Sequence, residues 1–341
     1  MNYIVYKNEN ALYFECGYSC DNALFLKLGS ESFFITDGRY EIEAKLAIKK
    51  SKVIIATKLL DKAIEILKKH KIKKITIDPK EWDIFSFNTL KENVPTKFKL
   101  KPDFSHLKRI IKSESEIELL KKAVDIGKKS FKNIAEALNS AEAKSEYELN
   151  FLAESILRDY GKRELSFEPI LAINQNSALP HAKPGKDILK PESLLLLDAG
   201  VKYKRYCSDR TRTAFYNSNS QIDFKIKQKF KSPKMQKVYD TVLKAHDKAI
   251  KKAKPGMKAS EIDKLARDVI EKAGFGKYFV HSTGHGVGLD IHEMPYISAT
   301  SDTIIEEGMV FTIEPGIYLE GEFGVRIEDM VVMLNRGVKV L

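Results

Sequence analysis

The sequence predicts an α+β fold in which a smaller α/β domain precedes a larger domain of helices and antiparallel strands. In roughly the first hundred residues, short apolar strand-like runs alternate with helix-like segments, as in layered α/β domains. Beyond them, long helical patterns lead into a region dominated by apolar strand-like runs. The segment KPDFS (101–105) interrupts the first pattern, so we place the domains at residues 1–107 and 108–341.

The clearest elements of the first domain are two apolar strands, 22–28 and 32–36, which a turn at Gly29 joins as a hairpin. A helix-like run covers residues 40–50. The segment 58–74 has apolar residues at helical spacing and predicts an amphipathic helix with a basic, solvated face. Further strands are predicted at 53–57 and 73–78.

The second domain begins with a predicted helix at 109–138, in which Ser113 and Glu116 have the spacing of a capping box. Further helical segments are predicted at 146–159 and at 234–273, the latter broken near Pro255. The polar segment 217–233 is predicted to be a surface excursion between a strand and a helix. Strands are predicted at 168–173, 193–200, 212–216, 309–315, 324–329 and 330–334.

Composition limits the classes of function to consider. With 43% hydrophobic and 31% charged residues over 341 positions, the chain has the composition of a folded globular protein. The net charge of +11 comes mostly from lysines spread along the chain, so no nucleic-acid partner is expected. Three cysteines do not predict a disulfide framework. We see no apolar run near the roughly 20 residues that span a bilayer and no secretory leader, and therefore expect a cytoplasmic protein without a membrane partner.

Four carboxylates lie in or beside apolar strands, where a buried charge must be paired or must bind a metal. Any one of them alone is more typical of a salt bridge or a turn. Because side chains alternate faces along a strand, all four can point into one cavity at the strand ends. They are Asp198, Asp209, Glu314 and Glu328. The segment HSTGHGVGLDIHEMP (281–295) adds three histidines, His281, His285 and His292. By itself this segment is compatible with a metal site, an acid/base site or only a polar loop, and the four carboxylates shift the balance toward a functional site.

Five segments in this order resemble the metallopeptidases of the pita-bread fold, a group that includes methionine aminopeptidase, aminopeptidase P and prolidase. They are PHAKPG, LLDAG followed by CSDRTRT, HSTGHGVGLDIHE, TIEPGIY and GVRIED. FFITDGRY (33–40) is similar to the N-terminal domain of creatinase and prolidase. That domain, the spacing of His281 and His292, and Arg326 favour the proline-peptidase branch. The resemblance implies a pita-bread catalytic domain behind a creatinase-like N-terminal domain.

The resemblance also implies a binuclear metal centre. Its five ligands would be Asp198, Asp209, His285, Glu314 and Glu328. Asp209 and Glu328 would bridge two divalent ions. Such an oxygen-rich donor set suits Mn²⁺ and also accepts Co²⁺, Fe²⁺ or Zn²⁺. Two adjacent ions lower the pKa of a shared water, so that a hydroxide attacks the peptide carbonyl.

Other residues take substrate and support roles by the same resemblance. The predicted catalytic residues are His281, His292, Glu314 and His181. The predicted substrate contacts are His181, His281, His292, Arg326 and Tyr318. Thr211 is expected to support a ligand, while Asp290 and Glu293 stay outside the ligand set. The remaining histidines, His70, His106 and His246, have polar neighbours and are predicted to lie on the surface.

The leading functional prediction is an Xaa-Pro aminopeptidase, which releases the N-terminal residue from peptides with proline in second position. The alternative is an Xaa-Pro dipeptidase, or prolidase, which uses the same catalytic residues. A third possibility, a peptide-binding module without activity, is disfavoured because all five ligand positions hold suitable residues. By the same resemblance, a homodimer acting on proline-containing peptides is expected.

Overall fold

The computed structural model describes residues 1–140, 144–217 and 221–341 of the chain. They form two units, Met1–Arg109 and Ile110–Leu341. The boundary predicted at 107/108 falls inside the helix Phe104–Arg109. No helix in the described ranges is long and apolar enough to cross a membrane.

The first unit is built on one six-stranded sheet with the strand order β4-β3-β2-β1-β5-β6. The outer pairs β3–β4, β1–β5 and β5–β6 are parallel, and the inner pairs β1–β2 and β2–β3 are antiparallel. The strands are β1 (Tyr3–Tyr6), β2 (Ala23–Leu28), β3 (Glu31–Thr36), β4 (Lys52–Ile55), β5 (Lys74–Ile77) and β6 (Lys97–Leu100). The helices are α1 (Glu9–Cys16), α2 (Glu41–Ala47), α3 (Leu59–Lys69), α4 (Ile84–Asn93) and α5 (Phe104–Arg109).

The amphipathic helix predicted over 58–74 is shorter in the structure: α3 covers Leu59–Lys69, and the separately predicted strand β5 begins at Lys74. Leu59, Ala63 and Leu67 of α3 are buried against the sheet. The helix ends at Lys69 because Lys71 adopts a left-handed conformation, with φ of 50°, which a helix cannot continue through. The predicted hairpin is present as β2 and β3.

Glu81, a half-buried carboxylate in the first unit, gives this unit a pH-dependent stability. Burial raises the pKa of Glu81 from its ordinary 4.5 to about 7. A group whose pKa is higher in the folded state favours folding at low pH, and this contribution is lost as the pH rises from about 4.5 through about 7. We therefore expect Glu81→Gln to stabilise the protein at pH 8, by up to about 3 kcal/mol, and much less at pH 5.

Urea unfolding of the wild type and Glu81→Gln at pH 5 and pH 8 measures this difference. Glu92, an exposed glutamate on α4, provides the control, because Glu92→Gln should change the unfolding free energy equally at both pH values. An equal effect of Glu81→Gln at both pH values would contradict the assignment.

The second unit combines a long helix with several small sheets. The sheet orders are β10-β9, β11-β8-β7, β13-β12-β14-β17-β18 and β15-β16. The strands are β7 (Ile170–Ile173), β8 (Leu194–Asp198), β9 (Lys202–Tyr203), β10 (Tyr206–Cys207), β11 (Thr211–Phe215), β12 (Gly284–Gly286), β13 (Glu293–Ile297), β14 (Val310–Ile313), β15 (Gly316–Leu319), β16 (Phe323–Arg326), β17 (Asp329–Leu334) and β18 (Gly337–Val340). The helices are α6 (Glu114–Ser140), α7 (Glu146–Leu157), α8 (Pro233–Lys252) and α9 (Ala259–Lys272). This mixture of helices and antiparallel strands confirms the predicted α+β class.

The predicted helix 109–138 begins later than expected, at Glu114. The predicted capping box is present: the Ser113 amide donates to the Glu116 carboxylate at 2.9 Å, and the Glu116 amide donates to the Ser113 hydroxyl at 3.4 Å. Residues 110–112, between α5 and α6, are not helical because they pair elsewhere. Ile111 bridges Met309, and the Lys112 amide donates to the Gly308 carbonyl at 2.9 Å.

Two predictions of surface position are wrong. Of the polar segment 217–233, residues 218–220 lie outside the described ranges, but Ile222, Phe224 and Phe230 are buried in the core. His246 is also buried, since its position on α8 directs it toward Asp329, with 3.3 Å between Nε2 and a carboxylate oxygen. Both predictions relied on the polar residues nearby in the sequence, whereas the partners that bury these side chains are distant in sequence.

Candidate metal centre

Two antiparallel strands bring the first pair of predicted ligands together. Asp198 is the last residue of β8, and its partner across the sheet is Thr211, the first residue of β11. Asp209 lies two residues before that strand begins. The Glu328 amide donates to the Thr211 carbonyl at 3.1 Å, so Glu328 joins the same corner.

The remaining ligands come from the five-stranded sheet. His285 lies at the centre of β12, and Glu314 directly follows β14. The register pairs Ile313 with Asp329, which places Glu314 beside Glu328 at the strand ends. The Glu314 amide donates to the Thr283 carbonyl at 2.7 Å and so holds this end of β14 against the segment that leads into β12.

Glycines in β12 allow backbone to approach closely around His285. A Cβ atom on Gly284 would lie 1.9 Å from the Thr312 carbonyl oxygen, and one on Gly286 would lie 2.2 Å from the Met294 carbonyl oxygen. Both distances are too short for any side chain. The histidine is therefore held between two positions where only glycine fits.

Three of the predicted ligands offer donor atoms to one point. Asp209, His285 and Glu328 each have a ligand atom within 4.8 Å of the other two. His285 Nε2 also lies 3.4 Å from the Glu314 carboxylate. The ring nitrogen Nδ1 donates to the Gly286 carbonyl at 3.1 Å, so in the neutral ring Nε2 keeps its lone pair toward the carboxylates. This is the tautomer that a metal-binding histidine needs.

The electrostatics of the cluster fit divalent cations. Burial, reinforced by the neighbouring negative charges, raises the pKa of Asp209 and of Glu328 well above the ordinary value, and burial raises that of Glu314. Burial lowers the pKa of His285, which favours its neutral form. The Asp198 oxygen Oδ1 is buried without a hydrogen-bond partner among the described residues. Cations would neutralise these carboxylates and occupy the unpartnered oxygen, so the residues present fit the predicted metal centre.

Arg326 braces the centre from behind. Its guanidinium donates to Asp198 at 2.6 Å, to the Thr211 hydroxyl at 3.0 Å and to the Tyr318 oxygen at 2.7 Å. The Thr211 hydroxyl in turn donates to Glu328 at 2.7 Å. Arg326 is 4% exposed, and two of these hydrogen bonds hold Asp198 directly and Glu328 through Thr211.

His281 is oriented by the same network. The Tyr318 hydroxyl donates to His281 Nε2 at 2.9 Å, and Nδ1 donates to the Ser282 carbonyl at 2.7 Å. Burial lowers the pKa of His281 and raises that of Tyr318 to about 12, so both groups are neutral near pH 7. Both ring nitrogens of His281 are therefore engaged in hydrogen bonds within the protein.

A cavity of about 700 Å³ opens onto the cluster. All the predicted ligands line it, as do His181, His281, His292 and Arg326. The His292 ring is centred 4.3 Å from that of His285, and burial lowers its pKa. Tyr318 does not line the cavity and instead lies behind His281 and Arg326. The structure thus brings the predicted site residues together, with Tyr318 as a supporting residue.

Sequence reasoning missed several supporting residues. Thr312 accepts a hydrogen bond from the His285 amide at 3.1 Å and donates to Glu314 at 3.3 Å, and it lies two residues before Glu314 on the same apolar strand. Glu293 forms a buried ion pair with Lys112 at 2.5 Å. Of these residues, only Thr312 could have been found from the sequence. It is a polar residue two positions before Glu314, and this spacing puts both side chains on the same face of a strand.

The fold and the carboxylate-rich cluster define a metal-dependent hydrolase. Residues 118–335 match the profile of metallopeptidase family M24, and the chain belongs to this family.

Two solved structures and one curated relative support the same placement. The Xaa-Pro dipeptidase of Pyrococcus furiosus is 37% identical over 311 residues, which cover 88% of this chain and 82% of that protein. The structure of an Xaa-Pro dipeptidase from Bacillus anthracis superposes with a TM-score of 0.89 at 31% identity and covers 99% of this chain and 92% of that one. An X-Pro aminopeptidase from Thermotoga maritima superposes with a TM-score of 0.87 at 30% identity and covers 99% and 94%.

Proposed function

We propose that this protein is a metal-dependent Xaa-Pro dipeptidase that hydrolyses the bond before a C-terminal proline. The hydrolytic part of the proposal is supported by the convergence of Asp209, His285 and Glu328 in an open cavity. The dipeptide preference is supported by similarity to a named Xaa-Pro dipeptidase over 88% of the chain. This reverses the order of the two activities predicted from the sequence.

The proposed ligands are the five residues expected from the sequence, Asp198, Asp209, His285, Glu314 and Glu328, and they would hold two divalent ions. Mn²⁺ is the preferred candidate for this oxygen-rich set. When bound, the ions supply charge neutralisation, polarisation of the scissile carbonyl and a water of lowered pKa. The metal identity, the two-ion stoichiometry and the homodimer remain predictions.

Four residues of the site take part in the proposed reaction, through proton transfer, hydrogen bonding or contact with the substrate. We assign to Glu314, whose carboxylate accepts from the Thr312 hydroxyl at 3.3 Å, the role of accepting a proton from the attacking water and passing it on toward the leaving amine. Because its pKa is lowered, His292 is neutral near pH 7 and can donate a hydrogen bond where negative charge develops. His181, exposed in the cavity, and the face of His281 are the proposed substrate contacts.

The second candidate activity is that of an Xaa-Pro aminopeptidase. The observation that favours it is the TM-score of 0.87 with the X-Pro aminopeptidase of Thermotoga maritima over 99% of this chain. Both activities use the same chemistry and differ in whether the residue after proline is tolerated.

Turnover of matched peptides separates these possibilities. The protein reconstituted with Mn²⁺ is expected to cleave Ala-Pro faster than Ala-Pro-Ala, with Ala-Ala as the control for proline dependence. Faster cleavage of the tripeptide would assign the aminopeptidase activity instead. Metal uptake without hydrolysis of any of the three would support the peptide-binding alternative and overturn the enzymatic proposal.

A further inference from the structure

One wall of the cavity is a single irregular loop, residues 179–187, here called the His181 loop. Pro180, His181, Ala182, Lys183 and Pro184 are consecutive and all line the cavity. The loop contains no helix or strand. Its shape therefore depends on individual anchoring contacts, and so does the position of His181.

Glu146 is the main anchor at the end of this loop. It is the first residue of α7 and is fully buried, at 0% exposure, although it is a carboxylate. One of its oxygens accepts from the Gly185 amide at 2.6 Å, and the other accepts from the Ile173 amide at 2.5 Å. A buried carboxylate held by backbone amides joins the loop to Ile173 at the end of β7, the strand whose first residue, Ile170, pairs with Asp198 of β8.

Asn176 extends this anchor to the middle of the loop. Its side-chain amide donates to Glu146 at 2.7 Å and to the Lys183 carbonyl at 2.9 Å. At the other end, Arg326 donates to the Pro180 carbonyl at 3.2 Å. His181 thus lies between one point fixed by the arginine that braces Asp198 and two points fixed by Glu146.

We propose that Glu146 is a positioning residue that holds the His181 loop in its substrate-binding shape. The inference rests on the proposed function, because it assigns the loop to peptide binding. Every donor to Glu146 is an N–H group, so both carboxylate oxygens must accept. Glutamine has the same shape but offers only one accepting oxygen, and its NH₂ group would face a donor. Glu146→Gln therefore removes one accepting oxygen with almost no change in side-chain shape, and it is the substitution that tests the proposal most directly.

Kinetics of Glu146→Gln on Ala-Pro give the first test. Displacement of the loop is expected to lower kcat/KM about 10- to 100-fold, mostly through a higher KM, with the affinity for Mn²⁺ unchanged. Glu148→Gln is the matched control, since Glu148 is exposed on the same helix and one of its oxygens accepts from the Ser145 amide and hydroxyl, both at 2.8 Å, which the oxygen of a glutamine can also do. Glu148→Gln should leave kcat/KM, KM and the affinity for Mn²⁺ unchanged. An unchanged KM in Glu146→Gln, or an equal loss of Mn²⁺ affinity, would overturn the proposal.

A double-mutant cycle with His181→Ala shows whether Glu146 acts through the loop. If it does, Glu146→Gln should add little to the loss already caused by His181→Ala. Full additivity would mean that Glu146 supports the fold without positioning His181. Asn176→Ala, which removes the same link to Lys183 from the other side, should raise KM in the same direction and provides a second variant if Glu146→Gln folds poorly.

Hydrogen exchange tests the structural claim independently of activity. The Gly185 amide, which donates to Glu146, should exchange at least about 10-fold faster in Glu146→Gln than in the wild type or Glu148→Gln. If the wild type hydrolyses no peptide but this difference is seen, the proposed function fails while the anchoring role of Glu146 stands. Equal exchange in all three proteins would refute the anchoring role itself.

Discussion

Asp209→Asn is expected to abolish both metal-dependent activity and metal-induced stabilisation. Asp209 lies within 3.6 Å of His285 Nε2 and is one of the three residues whose donor atoms converge. Loss of a ligand should lower kcat/KM by more than the roughly 100-fold that removal of a ligand's hydrogen-bond partner can cost. The comparison of kcat/KM on Ala-Pro with and without Mn²⁺ measures the first effect, and the rise in Tm on adding Mn²⁺ measures the second.

Without metal, Asp209→Asn should be more stable than the wild type, the reverse of the order expected with Mn²⁺ bound. In the wild type, burial and the neighbouring carboxylates raise the pKa of Asp209 well above its ordinary value, so its ionised form destabilises the folded protein near pH 7. Asp209→Asn removes that charge, and the metal-free variant should melt at a higher temperature than the metal-free wild type. Asp302→Asn, which removes an exposed aspartate paired with Lys258, should behave as the wild type in every measurement. Retained activity in Asp209→Asn would contradict the proposed ligand set.

Lys112→Met is expected to produce the largest loss of stability. Lys112 and Glu293 have side chains only 1% and 2% exposed, and their charges are 2.5 Å apart. Removing the lysine leaves the Glu293 carboxylate buried without its partner, which costs about 3–5 kcal/mol for pairs of this kind. Denaturant unfolding should show a lower midpoint with an unchanged slope.

A second substitution separates loss of charge pairing from loss of packing. Adding Glu293→Gln to Lys112→Met removes the unpaired negative charge of Glu293 and should therefore recover part of the stability. The methionine still fills the space of the aliphatic part of the lysine side chain. Lys258→Met, which breaks an exposed pair, should leave the midpoint unchanged. If the double variant is less stable than Lys112→Met, packing and not the stranded charge accounts for the loss.

The strands that carry the site could be predicted because their patterns are local. Asp198 and Glu314 interrupt or end apolar runs, and carboxylates in such positions need a partner. The structure places them at strand ends that meet in one cavity, as predicted. Their roles as ligands remain predictions.

The supporting contacts could not be predicted because they join distant segments. Lys112 meets Glu293 across 181 positions, and His246 meets Asp329 from a helix whose neighbouring residues are polar. Glu146 has the sequence signature of an ordinary acidic residue at a helix N-terminus, and only the folded chain shows its three N–H donors. Periodicity reports which face of an element is apolar, but it does not report which remote group a polar side chain will meet.

The close packing of β12 limits where this enzyme can acquire new substrate preferences. Any side chain at Gly284 or Gly286 would collide with the backbone of a neighbouring strand, so this strand cannot vary without displacing His285. Two other positions have no such restriction: Lys183, on the His181 loop, and Tyr296, on β13 beside His285, line the cavity and are exposed. Libraries designed to change peptide selectivity should therefore diversify these two positions and leave β12 intact, because selectivity can diverge only where side chains have room to change.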